Sequence, residues 1–195
     1  MPERPRWFTD TKPGHSEWYI ERFRAMAREG ADLEGEARFV DAMAERGSRV
    51  LDAGCGPGRL SGVLHRRGHQ VVGADADPQL IAAAEADHPG PTYVVADLST
   101  MELDEEPFDL VLCAGNVMVF LAPGTERAVL ERLRDHTRPG GRLVIGFRRE
   151  DGYPYDRFDA DCEATGLRLE HRFATWHLDP FTAGADFAVS VLRVP

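Results

Sequence analysis

The chain has 195 residues, 43% of them hydrophobic and 29% charged, with 33 acidic side chains against 23 Lys and Arg for a formal net charge of -10. This length fits one domain with a small appendage, and the composition excludes collagen-like, disordered and disulfide-framework classes. The acidic field repels phosphate backbones, so no nucleic-acid partner is expected.

The first 47 residues carry Trp7, Phe8, Trp18, Tyr19 and Phe23 and two helix-like runs, 16–29 and 35–46, the second closed by Gly47. They predict an N-terminal helical cap over 1–47, with a second unit over 48–195. From Arg49 onward short β-rich runs alternate with helical ones, the pattern of βαβ units on a parallel sheet. Strand 49–53 leads to helix 59–67, stopped by Gly68; strand 70–74 leads to helix 78–87, stopped by His88-Pro89-Gly90. Strands follow at 92–96, 108–113 and 142–147, with helix 125–136 before the last of them and Arg138-Pro139-Gly140-Gly141 as the turn between. After a helical stretch at 155–165, the runs 167–176 and 185–194 read as a closing β-hairpin.

The longest apolar stretch, 110–122, is interrupted by Gly115 and Asn116 and falls short of the roughly 20 residues of a bilayer span, so no membrane partner is expected. The opening residues lead into no apolar segment of a secretory signal, and a cytoplasmic location is expected. Cys55, Cys113 and Cys162 are odd in number and widely spaced, which predicts reduced, buried thiols. His65 and His69 are separated by the helix-breaking Gly68, and no metal site is expected.

The chemistry concentrates in Val50-Leu51-Asp52-Ala53-Gly54-Cys55-Gly56-Pro57-Gly58-Arg59-Leu60, a strand running through a glycine loop into a helix. Such a loop brings backbone N–H groups close to a ligand over a helix N-terminus. Two acids sharpen this reading. Asp75 closes the second strand 21 residues after Gly54, near the ~20 expected for an acid that holds ribose hydroxyls. Asp97 closes the third strand 22 residues further on, where a carboxylate can receive an exocyclic amine. In an open α/β sheet the strand tips form the ligand crevice, so Asp52, Asp75 and Asp97 are expected to converge. Asp77, followed by Pro78, has the N-cap and N1-proline arrangement and reads as a helix cap. A dinucleotide fingerprint needs a small residue where this chain has Arg59, which argues against NAD, and Asp75 would repel the 2′-phosphate of NADP.

Residues 50–60 resemble motif I of the class I S-adenosylmethionine-dependent methyltransferases. The resemblance extends through Gly73-Ala74-Asp75, Ala96-Asp97-Leu98, Phe108-Asp109-Leu110-Val111-Leu112 and Arg138-Pro139-Gly140-Gly141-Arg142-Leu143, four motifs in the family's order over 49–147. It implies a Rossmann-like α/β fold: a seven-stranded, mostly parallel sheet with an antiparallel last strand and helices on both faces. It also implies S-adenosylmethionine as cofactor. Asp52 would hold the methionine amino group above the loop of Gly54, Cys55, Gly56 and Gly58. Asp75 would take the ribose hydroxyls, Asp97 and the Leu98 amide the adenine amine edge, and Ala76 would line the adenine.

The loop after the fourth strand, Cys113 to Met118, is no N-P-P-Y motif; Asn116 either orients a substrate or satisfies a turn. Displacement at a sulfonium can rest on positioning and desolvation, so a dedicated base is optional. His15, Tyr19, His177 and Asp179 lie in segments that could cover the pocket, and His15 is the candidate proton acceptor because an unperturbed imidazole titrates near neutrality. Trp18, Tyr19 and Phe23 form either a lid over the cofactor or ordinary helix packing. Arg22 or Arg38 would pair with the cofactor carboxylate. The expected activity is methyl transfer to a small-molecule acceptor. The alternatives are cofactor binding without transfer, use of a decarboxylated cofactor, or an NAD-dependent oxidoreductase.

Overall fold

A computed structural model describes residues 4–149 and 153–195; the first three residues of the expected cap lie outside these. In chain order the elements are α1 (Arg6–Thr9), α2 (His15–Arg28), α3 (Gly35–Met43), β1 (Arg49–Ala53), α4 (Arg59–Arg66), β2 (Gln70–Asp75), α5 (Pro78–Asp87) and β3 (Thr92–Val95). They continue with β4 (Phe108–Cys113), α6 (Val117–Phe120), α7 (Glu126–Asp135), β5 (Thr137–Arg148), α8 (Tyr155–Ala164), β6 (Arg168–Phe173) and β7 (Phe187–Arg193).

The strands form one sheet in the order β3-β2-β1-β4-β5-β7-β6. The pairs from β3 to β5 are parallel, and β7 runs antiparallel to both of its neighbours. This is the expected mostly parallel sheet with an antiparallel last strand. The chain leaves β1 in one direction to build β2 and β3 and returns to the other side with β4. That reversal opens a crevice at the C-terminal ends of β1 and β4, where ligands of open α/β sheets bind.

Both faces of the sheet are covered by apolar stripes. On one face Leu60, Val63 and Leu64 of α4 and Ala37, Phe39 and Val40 of α3 pack on Val50, Leu110, Leu112, Val144 and Val189. The spacing of Leu60, Val63 and Leu64 is that of one helical face, which explains why this segment is a helix and which side it buries. On the other face Val129, Leu130 and Leu133 of α7 and Phe158 of α8 pack on Leu51, Val111, Leu143 and Phe147. Helix α3 therefore sits in the layer beside the sheet. Helices α1 and α2 lie on α5, where Ile20 meets Leu80 and Ala83 with Trp7 and Tyr19 against them.

The elements differ most from the sequence reading at three places. Helix α3 ends at Met43 because Ala44 is already extended, at φ -92° and ψ 143°; Gly47 shapes the following turn at φ 76° and not the helix end. Strand β5 begins at Thr137, so Pro139-Gly140-Gly141 lies inside the strand, where the register with β4 shifts between Phe108 and Leu110. Proline has no N–H to give the ladder, and a bulge tolerates that loss. Third, β6 and β7 are only six and seven residues long, although they pair antiparallel as expected.

Candidate functional site

The chain turns sharply from β1 into α4. Gly54, Gly56 and Gly58 take φ values of 77°, 55° and 78°, a region open to glycine and strained for other residues. At Gly54 a Cβ would stand 2.3 Å from Cγ2 of Val117, so the loop presses against the start of α6. At Gly58 a Cβ would meet Ala84 Cβ and the Tyr93 hydroxyl, each at 2.7 Å. Gly58 thus lets α4 approach α5 and β3, and it lies outside the walls of the two cavities described next.

The larger of the two is a cleft partly open to solvent, with about 640 Å³ between its walls. Asp75, Ala76, Asp97 and Leu98 form one wall, and Gly54 and Gly56 the floor. Pro5, Trp7 and Tyr19 close it from the N-terminal segment, while Val117, Phe120 and Leu121 complete an apolar side. A smaller cavity of about 350 Å³ adjoins it through Tyr19, Gly54, Gly56, Ala114 and Gly115, and is walled by Asp52, Cys55, Phe23 and Arg59. The three acids therefore reach one bipartite crevice, Asp75 and Asp97 in one half and Asp52 in the other.

Asp75 ends β2, and both of its oxygens take backbone donors: Oδ2 accepts the Gly56 amide and Oδ1 the Asp77 amide, each at 2.9 Å. Burial nevertheless dominates and pushes its carboxyl up to about 6. Asp52 is 1% exposed and accepts the Ser61 hydroxyl at 2.6 Å; burial raises it too to about 6. Asp97 takes the Ser99 amide and hydroxyl on Oδ1, at 2.9 and 2.7 Å, in a turn that fixes its place after β3.

These residues fit a nucleoside that carries a cationic amine. Carboxylates held in a low-dielectric site gain most from hydroxyl and ammonium donors, because these stabilise the charged form that burial disfavours. The Gly54 cradle, which a Cβ would fill, allows the loop backbone to approach such a ligand.

Other expected residues stand elsewhere. Arg22 lies exposed with its guanidinium 5.5 Å from the Trp18 ring, and Arg38 pairs with Asp32 at 2.6 Å; neither walls the two cavities. The His15 ring packs on Trp7 at 4.8 Å and Trp18 at 5.3 Å and is likewise not among the lining residues. Asn116 takes φ 65° at the start of α6 and accepts the Arg148 amide on Oδ1 at 2.8 Å, tying the end of β4 to the end of β5. His177 and Asp179 belong to the loop between β6 and β7 and also lie outside the cavity walls. Of the three aromatics considered for a lid, Tyr19 walls both cavities, Phe23 walls the smaller, and Trp18 is 54% exposed.

Of the lining residues that the sequence reading does not assign to the site, Trp7 and Arg59 bear most on its chemistry. Trp7 contributes to the cover, and Arg59 supplies the cation that the smaller cavity contains. Arg59 is the first residue of α4, directly after the glycine loop, and that position was itself a signal that it faces the crevice. It forks onto Glu36 at 2.8 and 3.1 Å and also donates to the Leu33 carbonyl. Burial alone would raise the Glu36 carboxyl, but the Arg59 guanidinium brings it below the ordinary range.

Fold and crevice together define a Rossmann-like nucleoside-binding protein. Residues 50–141 match the methyltransferase domain family model. A TehB-like S-adenosylmethionine-dependent methyltransferase from Corynebacterium glutamicum superimposes with a TM-score of 0.90 at 44% identity, covering 94% of this chain and 100% of that one. The chain therefore belongs to the S-adenosylmethionine-dependent methyltransferase family, whose cofactor is S-adenosylmethionine. The nicotinamide alternative is set aside.

Among curated relatives, a malonyl-[acyl-carrier protein] O-methyltransferase from Enterobacter lignolyticus is 34% identical over 83% of this chain and 66% of its own length. A trans-aconitate 2-methyltransferase from Rhizobium rhizogenes is 40% identical over 50% of this chain and 37% of its own. The chain spans between 44% and 69% of the first malonyl relatives. Among the described residues no helix is long and apolar enough to cross a membrane.

Proposed function

We propose that the protein transfers a methyl group from S-adenosylmethionine to a small-molecule acceptor. The observation that carries this reading is the placing of Asp75 and Asp97 on one wall of a cavity whose floor is the glycine loop, with Asp52 and Arg59 in the adjoining recess. In this reading Asp75 accepts the ribose hydroxyls. Asp97 and the Leu98 amide read the adenine edge, against Ala76 and Leu80. Asp52 receives the amino group and Arg59 the carboxylate of the methionine moiety.

The cofactor, when bound, supplies a methyl group on a sulfonium whose departure is already favourable. The chain's own contribution is then orientation and exclusion of water, which together can lower a barrier by several kcal/mol. Tyr19 serves both halves of the crevice, and burial raises its phenol above the ordinary value, so at neutral pH it stays a neutral donor. Asn116 works here by position, fixing the β4 and β5 ends through the Arg148 amide. The placing of His15 among the cover's aromatic rings supports a transfer that uses no histidine base. The trans-aconitate relative supports a small free acceptor, and the malonyl-[acyl-carrier protein] relative a small carrier-borne one.

The test is titration calorimetry with S-adenosylhomocysteine, followed by a screen of small acids, phenols and amines for release of that product. Binding with acceptor-dependent release is expected. Binding without release by any acceptor would leave a cofactor-binding protein, and absence of binding would overturn the reading altogether.

A further inference from the structure

The carboxylate of Asp77 faces two ways. As N-cap of α5 its Oδ1 accepts the Gln79 amide at 2.8 Å, the role its place before Pro78 predicts. Its Oδ2 accepts the indole N–H of Trp7 at 2.8 Å and the hydroxyl of Ser16. One donor comes from α1 and the other from α2, and neither is needed to start α5. The residue is only 3% exposed, and both contacts are partly buried.

The two elements held there are the ones that close the larger cavity. Trp7 and Tyr19 form its outer wall, their rings 5.3 Å apart, and Trp7 reaches across to Phe120 of α6 at 5.6 Å. The Asp77 amide donates to Oδ1 of Asp75, whose other oxygen holds Gly56. One turn, 75–77, thus carries both the acid that faces the cavity and the acid that grips its cover. A second tether, Arg24 to Asp87 at 2.7 and 3.0 Å, lies at the exposed rim, where water screens it.

We propose that Asp77 is a positioning residue that latches the α1–α2 cover over the nucleoside cavity, and that this latch sets how fast cofactor and product exchange. The inference rests on the methyltransferase reading given above. Uncharged donors hold the Oδ2 atom, so opening replaces two hydrogen bonds with bonds to water and does not break a buried ion pair. That makes the latch reversible. Trp7 lines the same cavity as Asp75 and Asp97, so the exchange of a ligand seated there depends on how firmly Asp77 holds Trp7.

Asp77→Asn separates the two roles. Asparagine caps a helix about as well as aspartate, so the bond to Gln79 survives. Its amide nitrogen, however, places a donor opposite the donor-only Trp7 indole, while the Ser16 hydroxyl can turn to accept it. Trp7→Phe attacks from the other side, keeping an aromatic wall and leaving the α5 cap untouched. The measurement is the rate at which labelled S-adenosylhomocysteine leaves each protein in a chase with excess unlabelled ligand. Each variant is expected to release it roughly tenfold faster, with little further gain in the double variant, since both remove the same contact. Trypsin should also cut within 1–28 of the liganded variants sooner than in the wild type. A role confined to capping predicts that both variants release ligand at the wild-type rate; that result would overturn the latch while leaving the methyltransferase reading intact. If the wild-type protein bound no S-adenosylhomocysteine, the reading and the latch would fall together.

Discussion

Asp75 at the end of β2 holds the amide of Gly56 at 2.9 Å, so the acid that faces the cavity also pins the glycine loop beneath it. Asp75→Ala removes both functions. Affinity for S-adenosylhomocysteine should fall at least tenfold by calorimetry, since hydrogen bonds to a charged group contribute about 1.5–3 kcal/mol each. Unchanged affinity would remove Asp75 from the ribose.

Asp52 and Asp75 give binding and stability opposite dependences on pH. Both carboxyls rise from 3.8 to about 6 on folding, so between these values the folded chain keeps protons that the unfolded chain has released. The contribution of each to stability therefore falls as pH rises through that window, and is complete below it. Ligand donors favour the ionised forms, so affinity should drop as pH falls below 6, by roughly tenfold per carboxylate between pH 7 and 5. Asp52→Asn, which keeps an oxygen for the Ser61 hydroxyl, should raise the apo Tm at pH 8 by several degrees, on the order of 2 kcal/mol. The gain should vanish near pH 4.

Gly54→Ala places a methyl group 2.3 Å from Val117 Cγ2 at a φ of 77°. Left-handed backbone costs about 1–2 kcal/mol and overpacking about 1–3, so urea unfolding should show a loss of about 2–5 kcal/mol. Val117→Ala should recover only the packing part, because the backbone penalty stays.

The fork from Arg59 to Glu36 is shielded, the two side chains being 17% and 19% exposed. Arg59→Ala leaves Glu36 without its cation and should cost about 2–3 kcal/mol, below the 3–5 of a fully buried pair. Glu36→Gln in the same chain should return most of that loss. Ligand affinity should stay low in the double variant if Arg59 holds the methionine carboxylate.

Cys55, Cys113 and Cys162 are buried free thiols, and burial pushes Cys113 and Cys162 up to about 12 and Cys55 well above its ordinary value. A thiol reagent at pH 8 should find none of the three in the folded protein and all three in denaturant. Rapid labelling of the native chain would contradict the packing of the loop at Cys55.

The sheet and the acids of the crevice were legible because the sequence marks strand tips directly: β-rich runs end in Asp75 and just before Asp97, and Gly54 to Gly58 can only be a tight turn. The capping of α5 by Asp77 was legible for the same local reason. Its grip on Trp7 and Ser16 was not, since these partners lie 70 and 61 residues away and no periodicity joins them. Arg59 stands in the sequence as an obstacle to dinucleotide binding, and its place after the glycine loop signals the crevice; its pairing with Glu36, 23 residues away, is what only the folded chain shows. The bulge at Pro139-Gly140-Gly141 looked like a turn because glycine and proline mark both.

Strand β7 lies between β5 and β6, and β6 has no other neighbour in the sheet. Arg168–Phe173 therefore joins the sheet through Phe187–Arg193 alone among the described residues. The edge of the sheet thus hangs on one strand, and removing β7 would strip away two strands at once.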